Sequence, residues 1–144
     1  MPYFQDINLF YDLLNELFDK LFADPKVAAK ASESQLTVQF TYHNPDGSFL
    51  IDCKPDPMVV YAGEPPVPLE ADAVMDMELD TAHAFWCGKL NLLGALSSGL
   101  IEAQGSVPRM LKMLPVIRPA YQIYSDLLTE RGLTDLIIED EDDD

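Results

Sequence analysis

The sequence has 144 residues, of which 48% are hydrophobic and 10% aromatic, so the chain can bury one core and is not globally disordered. Lys and Arg number 9 against 25 Asp and Glu, which gives a formal net charge of -16. A surface of this charge repels phosphates and anionic head groups, which argues against nucleic acid as a partner and disfavours contact with anionic membranes.

The N-terminal residues and the two cysteines are typical of a cytoplasmic protein. No stretch approaches the ~20 apolar residues of a membrane helix. The start "MPYFQDINLF" has neither a basic segment nor a small-residue cleavage site, so we expect no secretory signal. Cys53 and Cys87 form no CxxC motif, and we expect both to be reduced, small hydrophobic residues.

Hydrophobic periodicity predicts two helices and then a hairpin. Apolar residues recur at helical spacing over 7–22, and Asp24 caps a second, short helix over about 25–32. The period then changes to two in "QLTVQFTYH" and "SFLIDCK", which flank the turn signal "NPDG". A short strand around 58–61 and a proline-rich loop follow.

The second half predicts two further strands and more helices. "AVMDMELD" alternates between apolar and acidic residues, and Asp80 is placed to cap a helix that begins at Thr81. A short helix over 91–98 precedes the fifth strand candidate, "LIEAQG". Helical structure then resumes, and Pro115 and Pro119 are expected to break it into pieces.

This order of elements predicts an α+β (mixed α/β) fold: a five-stranded, largely antiparallel sheet with helices over one face. We expect residues 1–138 to form a single domain. The remaining segment, "EDEDDD" at 139–144, is expected to be a disordered acidic tail.

Two pairs of residues could carry chemistry, and each has a simpler structural explanation. His83 and Cys87 are four residues apart, as in a nucleophile pair or half of a metal site, but nothing nearby in the sequence supplies a third group. Asp76 and Glu78 share one side of a strand, and the apolar residues that alternate with them indicate that the acids face water. The glycines of "FWCGKLNLLGALSSGLIEAQG" match no phosphate-binding motif. We therefore expect no catalytic residues, no metal and no cofactor.

The same stretch is rich in bulky apolar residues, as are the later helices. Composition alone does not distinguish a filled core from a hollow one, and a filled core is the more common outcome. The segment "VMDMELDTAHAFWCGKLNLLGALSSGLIEAQGSVPRMLKMLP", however, resembles the sterol carrier protein 2 (SCP-2) domain family. The resemblance rests on the order of the elements. A strand with alternating apolar residues is followed by a short helix, a Gly-Lys-hydrophobic-Asn segment at 88–91, a helix of small residues, a strand that ends in glycine and a Leu-rich helix. The resemblance covers about two thirds of the chain, judged by motif order.

The resemblance implies an apolar tunnel between the sheet and the helices. It also implies non-catalytic binding, and transfer, of a long apolar ligand such as a fatty acid, a sterol or another lipid. The residues expected to bind this ligand are Phe40, Ile51, Met75, Met77, Phe85, Trp86, Leu90, Leu93, Leu96, Leu114, Ile117, Tyr121 and Tyr124. We expect the cavity to measure several hundred Å³, the range usual for small-molecule sites.

Two other functions stay open. An interaction module would use an apolar groove to receive a helix of its own chain or of a partner, and could form a homodimer. A lipid-acting enzyme would use Asp76, Glu78 or His83 as an acid or a base. The acidic composition departs from the basic character of the best-known carriers and disfavours transfer between anionic membranes.

Overall fold

The computed structural model describes residues 2–138 of the chain. The acidic tail predicted at 139–144 therefore lies outside the described residues. In chain order the elements are α1 (Ile7–Phe22), α2 (Pro25–Ser34), β1 (Thr37–His43), β2 (Gly47–Asp52), β3 (Val59–Ala62), β4 (Ala73–Glu78), α3 (Leu79–Trp86), α4 (Leu92–Ser98), β5 (Glu102–Gly105), α5 (Val107–Leu111), α6 (Leu114–Ile117), α7 (Pro119–Glu130) and a 3-10 turn (Thr134–Leu136).

The five strands form one sheet in the order β3-β2-β1-β4-β5. Three neighbouring pairs are antiparallel, and the central pair, β1 with β4, is parallel. The predicted α+β fold with a five-stranded, largely antiparallel sheet is confirmed. The parallel pair needs a crossover connection, because two neighbouring parallel strands cannot be joined by a tight turn. The chain makes this crossover through β2 and β3 before it returns to the sheet centre.

The helices pack on one face of the sheet, as predicted. Tyr42 of β1 and Met75 and Met77 of β4 are buried beneath them, whereas Gln39 and Asp76, on the opposite face, stay partly exposed. α1 packs against α7 and supplies the longest apolar stripe of the helical layer. Its buried residues are Phe10, Leu13, Leu14, Leu17, Phe18 and Leu21. Among residues 2–138, none of the helices combines the length and the apolar character that crossing a membrane requires.

The start of α3 differs from the prediction. The helix begins at Leu79 rather than Thr81, and its N-cap, Glu78, makes no side-chain capping bond. The Asp80 carboxylate instead accepts a hydrogen bond of 3.0 Å from the backbone N–H of Tyr3. Asp80 thus holds the N-terminal segment against α3, a long-range role that a local capping pattern does not reveal.

The predicted break in the last helical region is confirmed. Pro115 lies in the first turn of α6, and α7 begins at Pro119, so the region consists of three helices, of which the first two have 5 and 4 residues. Proline has no backbone N–H and crowds the preceding turn, so neither residue can continue a helix that arrives from its N-terminal side. α6 has no fully buried residue, although Leu114, Val116 and Ile117 pack against the core while staying partly exposed.

The close approach of β5 to the loop before β4 gives a first test. At Gly105 the backbone φ is +90°, and a Cβ atom would lie 2.2 Å from the Asp72 carbonyl oxygen. At Gly99 the backbone φ is +83°, but a Cβ atom added there would have no other atom within 4 Å. We expect Gly99→Ala to lower the free energy of unfolding by about 1 kcal/mol, the cost of the left-handed backbone. Gly105→Ala should lower the free energy of unfolding by about 3 kcal/mol, because the clash with the Asp72 carbonyl oxygen adds to the cost of the left-handed backbone. Urea unfolding measures both, and equal losses would contradict the close approach.

Candidate apolar ligand site

An internal cavity of about 90 Å³ lies between the sheet and the helical layer. β1, β2 and β4 form its floor, and all of the helices except α7 contribute to the remaining walls. The lining residues are Phe18, Phe22, Ala31, Ser34, Leu36, Val38, Phe40, Tyr42, Ile51, Cys53, Met75, Met77, Ala82, Phe85, Trp86, Leu92, Ile101, Met110, Met113, Leu114 and Ile117.

Strand register and small residues explain why a space forms here. Phe40 lies beside Met75, and Tyr42 beside Met77, across the parallel pair, so four large side chains rise from adjacent positions on the helix-facing side. On the helical side, α2 contributes only the small residues Ala31 and Ser34, and α3 contributes Ala82 beside Phe85 and Trp86. Small side chains on the helices leave a space that the sheet side chains do not fill completely.

The wall of the cavity carries no charged side chain. Among the lining residues, Ser34, Tyr42, Cys53 and Trp86 have side chains that contain a hydroxyl, thiol or N–H group. The Ser34 hydroxyl donates a hydrogen bond of 2.6 Å to the Ala31 carbonyl oxygen. Burial raises the pKa of the Cys53 thiol to about 11, so this group is neutral at physiological pH. The surroundings suit an uncharged, mostly hydrocarbon ligand.

Eight of the thirteen residues predicted to bind a ligand lie in this wall. They are Phe40, Ile51, Met75, Met77, Phe85, Trp86, Leu114 and Ile117. That these side chains contact a ligand stays a prediction. The cavity itself is smaller than the several hundred Å³ expected, because side chains from both layers fill most of the space between them.

The three leucines predicted around α4 lie outside the lining. Leu93 is 63% exposed, and Leu90 and Leu96 are only half-buried. α4 buries Leu92 and Ala95 instead, and Leu92 takes the place in the wall that was expected for its neighbour. Consecutive residues of a helix point about 100° apart, so two adjacent leucines cannot both face the cavity.

The two predicted tyrosines also lie elsewhere. The Tyr121 ring packs edge-on against Phe85, with ring centroids 5.8 Å apart, and borders a surface cleft of about 420 Å³. Tyr124 is fully buried, and its hydroxyl lies 2.8 Å from Nδ1 of His83. The surface cleft is larger than the internal cavity but open and half polar in its lining, so the cavity remains the better candidate for an apolar ligand.

His83 and Cys87 form a neutral, structural pair. The His83 Nε2 atom lies 2.7 Å from the Leu136 carbonyl oxygen, which can only accept, so Nε2 carries the proton and Nδ1 accepts from the Tyr124 hydroxyl. Burial lowers the pKa of His83 and raises the pKa of Cys87, whose Sγ atom lies 3.7 Å from Nε2. A neutral thiol is a poor nucleophile, so this geometry gives no support to covalent catalysis.

The acidic pair lies on the other face of the sheet. The Asp76 carboxylate pairs with His43 at 2.7 Å and raises the pKa of that histidine, while Glu78 is exposed. These groups face away from the cavity, as the alternation predicts. Within residues 2–138, no group of three or more His, Cys, Asp or Glu side chains is arranged to hold a metal ion.

Thirteen lining residues were not among those predicted. Alternation in "QLTVQFTYH" already places Leu36, Val38 and Tyr42 on the same side as Phe40, so the sequence contained a signal for them. The others come from α1, α2, α3, α4, α5, the segment after α5 and the loops. Their convergence depends on how these elements pack, which local periodicity does not determine.

Comparison with known proteins identifies the fold. No family model matches the chain, and no curated protein matches it. Among solved structures, the sterol carrier protein domain 2 of Helicoverpa armigera superposes with a TM-score of 0.62 at 20% identity, over 78% of this chain and 87% of that one. Sterol carrier protein 2 from Yarrowia lipolytica, in its apo form, gives 0.61 at 18% identity, over 74% and 88%. The chain has the sterol carrier protein 2 fold.

Two further neighbours show the range of proteins that contain the SCP-2 fold. A palmitated SCP-2-like protein from Aedes aegypti has a TM-score of 0.50 at 21% identity, over 70% of this chain and 90% of that one. The sec-alkylsulfatase Pisa1 from a Pseudomonas species has 0.53 at 15% identity, over 62% of this chain but only 14% of the enzyme. The match to the sulfatase therefore involves a small part of a much larger protein and shows the fold alone.

The buried histidine gives a second test. The sequence contains two histidines, so in a His43→Gln variant the only imidazole is that of His83. Since burial lowers its pKa below the ordinary 6.5, we expect nitrogen NMR shifts to report a neutral ring protonated at Nε2 throughout the range above that pH. The unfolded chain takes up the proton near 6.5, so the free energy of unfolding should fall as the pH drops below this value. A ring that titrates at or above 6.5 would contradict the buried network.

Proposed function

We propose that this protein is a single domain over residues 1–138 that binds a long apolar ligand, a lipid, non-catalytically between its sheet and its helices. The observation that carries the proposal is the cavity between the sheet and the helices, whose wall holds no charged side chain. The neighbours named as sterol carrier proteins support a lipid ligand, and the palmitated neighbour supports one with a long acyl chain. The unpaired Cys53 and Cys87 support a reducing, cytoplasmic setting.

A long ligand requires the cavity to expand. Its volume of about 90 Å³ compares with the ~300–1,000 Å³ of typical small-molecule sites. The wall most able to move is formed by α5 and α6, which contribute Met110, Leu114 and Ile117, together with Met113 between them. These helices are short and have few internal hydrogen bonds to open, and methionine side chains adapt easily to a new shape.

The other two functions have less support. Among the described residues, the His83–Cys87 pair offers an enzyme no activated nucleophile, because both groups are held neutral. An interaction module has one feature in its favour, the exposed Leu93 and Leu100, which are 63% and 50% accessible. Both lie on the surface outside the cavity, so a homodimer formed through them would leave lipid binding intact.

Chain length gives a third test, by displacement of a fluorescent fatty-chain probe from the purified protein. Each methylene transferred from water to the cavity contributes about 0.8 kcal/mol, so the dissociation constant of a homologous series should fall about fourfold per carbon until the expanded cavity is full. A series of alkyl alcohols from eight to about sixteen carbons spans this range. A flat response would contradict an enclosed apolar site and favour loose adsorption to the surface.

A blocking substitution gives a fourth test. Leu114→Trp places a larger side chain in the wall of α6, so we expect it to lower the affinity for long-chain ligands at least about tenfold while the protein stays folded. Leu93→Trp makes the same chemical change at an exposed position outside the lining and serves as the matched control. Circular dichroism checks the fold of both. Equal affinities in the two variants would contradict the assignment of the site.

A further inference from the structure

A pair of aromatic rings stands between the internal cavity and the surface cleft. Phe85 lines the cavity, and Tyr121 lines the cleft. The two rings pack edge-on, with centroids 5.8 Å apart and planes inclined at 85°. The Phe85 ring also packs against Trp86, another cavity residue, with a centroid distance of 4.9 Å. Phe85 therefore contacts residues of both spaces.

Two segments of the chain pass from the cavity to the cleft at this point. At the end of α3, Phe85 and Trp86 line the cavity, and Cys87 directly after them lines the cleft. Where α6 meets α7, Ile117 lines the cavity, and Tyr121 lines the cleft about one helical turn later. Since both segments border both spaces, the cavity and the cleft are neighbours across a thin wall.

The ring pair can move without unfolding the helical layer. Phe85 and Tyr121 are both partly exposed. Gly88 faces the Tyr121 ring and contributes no side chain that holds it in place. An edge-on aromatic contact shifts an equilibrium by about two- to tenfold, so a conformation with the two rings apart is a minor but accessible state.

We infer that Phe85 and Tyr121 form a gate, which a long-chain lipid opens so that its chain fills the cavity and its polar end lies in the cleft. This inference rests on the proposed function and adds a second space to its site. The cavity of about 90 Å³ is too small by itself for a long chain. Joined to the cleft of about 420 Å³, it falls within the ~300–1,000 Å³ of typical small-molecule sites.

The composition of the cleft suits the polar end of a lipid. Among its described lining residues, Lys89, Gln122 and Ser125 have hydrogen-bonding side chains, and none is acidic. The cavity wall, by contrast, has no charged side chain. A chain that lies inside with its hydroxyl group in the cleft therefore keeps the polar group near water and avoids the cost of burying it unpaired.

Ligands of different length test the gate. An apolar cavity of ~150 Å³ holds benzene, so hexanol, with the same number of carbon atoms, needs only a modest expansion and should stay inside. Hexadecanol should reach the cleft. In NMR spectra of the isotope-labelled full chain, we expect hexadecanol to shift the backbone amide signals of Cys87, Gln122 and Ser125 as well as those of the cavity wall. Hexanol should shift only the signals of the cavity wall.

A substitution in the cleft tests whether a ligand uses its space. Gln122→Phe places a bulkier ring at an exposed position of the cleft, and it should weaken hexadecanol binding about fourfold for each methylene that it excludes. Hexanol affinity should not change. Gln104→Phe, at an exposed position on β5 outside both linings, is the matched control and should change neither affinity. Fluorescence of Trp86, the single tryptophan, measures both affinities.

Removing one ring tests the gate from the other side. Phe85→Ala leaves the wall open, so hexanol should now also shift the amide signals of Gln122 and Ser125. Phe40→Ala removes the same ring from the sheet side of the cavity and leaves the Phe85–Tyr121 pair in place. In this control the cleft signals should still respond to hexadecanol but not to hexanol. Circular dichroism checks the fold of both variants.

The outcomes separate this inference from the proposed function. If hexadecanol binds but leaves the cleft signals unchanged, or if Gln122→Phe and Gln104→Phe bind it equally, the gate is overturned while lipid binding stands. The gate is also overturned if hexanol reaches the cleft in the parent as readily as in Phe85→Ala. If neither alcohol binds, the proposed function fails and this inference fails with it.

Discussion

The parallel pairing of β1 with β4 is the constraint on which the rest of the structure depends. It places two strands from distant parts of the sequence side by side in the middle of the sheet, with Phe40 beside Met75 and Tyr42 beside Met77. Because the pairing is parallel, the intervening chain must leave and return, and β2 and β3 complete one side of the sheet on the way. The result is a broad apolar surface that one layer of helices must cover.

How the helices cover this surface determines whether a ligand has access. α1 and α7 pack tightly and bury long apolar stripes, whereas the prolines divide the preceding region into two very short helices. His83 further connects the helical layer, because its hydrogen bonds to Tyr124 and Leu136 link α3 to α7 and to the C-terminal segment. Motion should therefore concentrate at α5 and α6, because the bonds that oppose it are fewest there.

The sequence predicted the sheet wall of the cavity better than the helical wall, for a physical reason. In a strand, alternate residues share a side, so the alternation around Phe40 and Met77 fixed which side chains face the helices. A helix of seven residues has no such unambiguous phase. In α4 both ends are held by local bonds, the Asn91 cap and the bond from the Ile101 N–H to the Ala95 carbonyl oxygen, and hydrophobic periodicity does not show which face these ends turn toward the sheet. The size of the cavity likewise depends on packing between layers.

The measurement that tests the central claim most directly is methyl NMR of the methionines during titration with hexadecanol. Four of the six methionines, Met75, Met77, Met110 and Met113, line the cavity, whereas Met58 borders a separate surface cleft. If the ligand enters between the sheet and the helices, the four methyl signals should shift together and the Met58 signal should stay in place. Binding that leaves the four unchanged, or that moves Met58 alone, would contradict an internal lipid site.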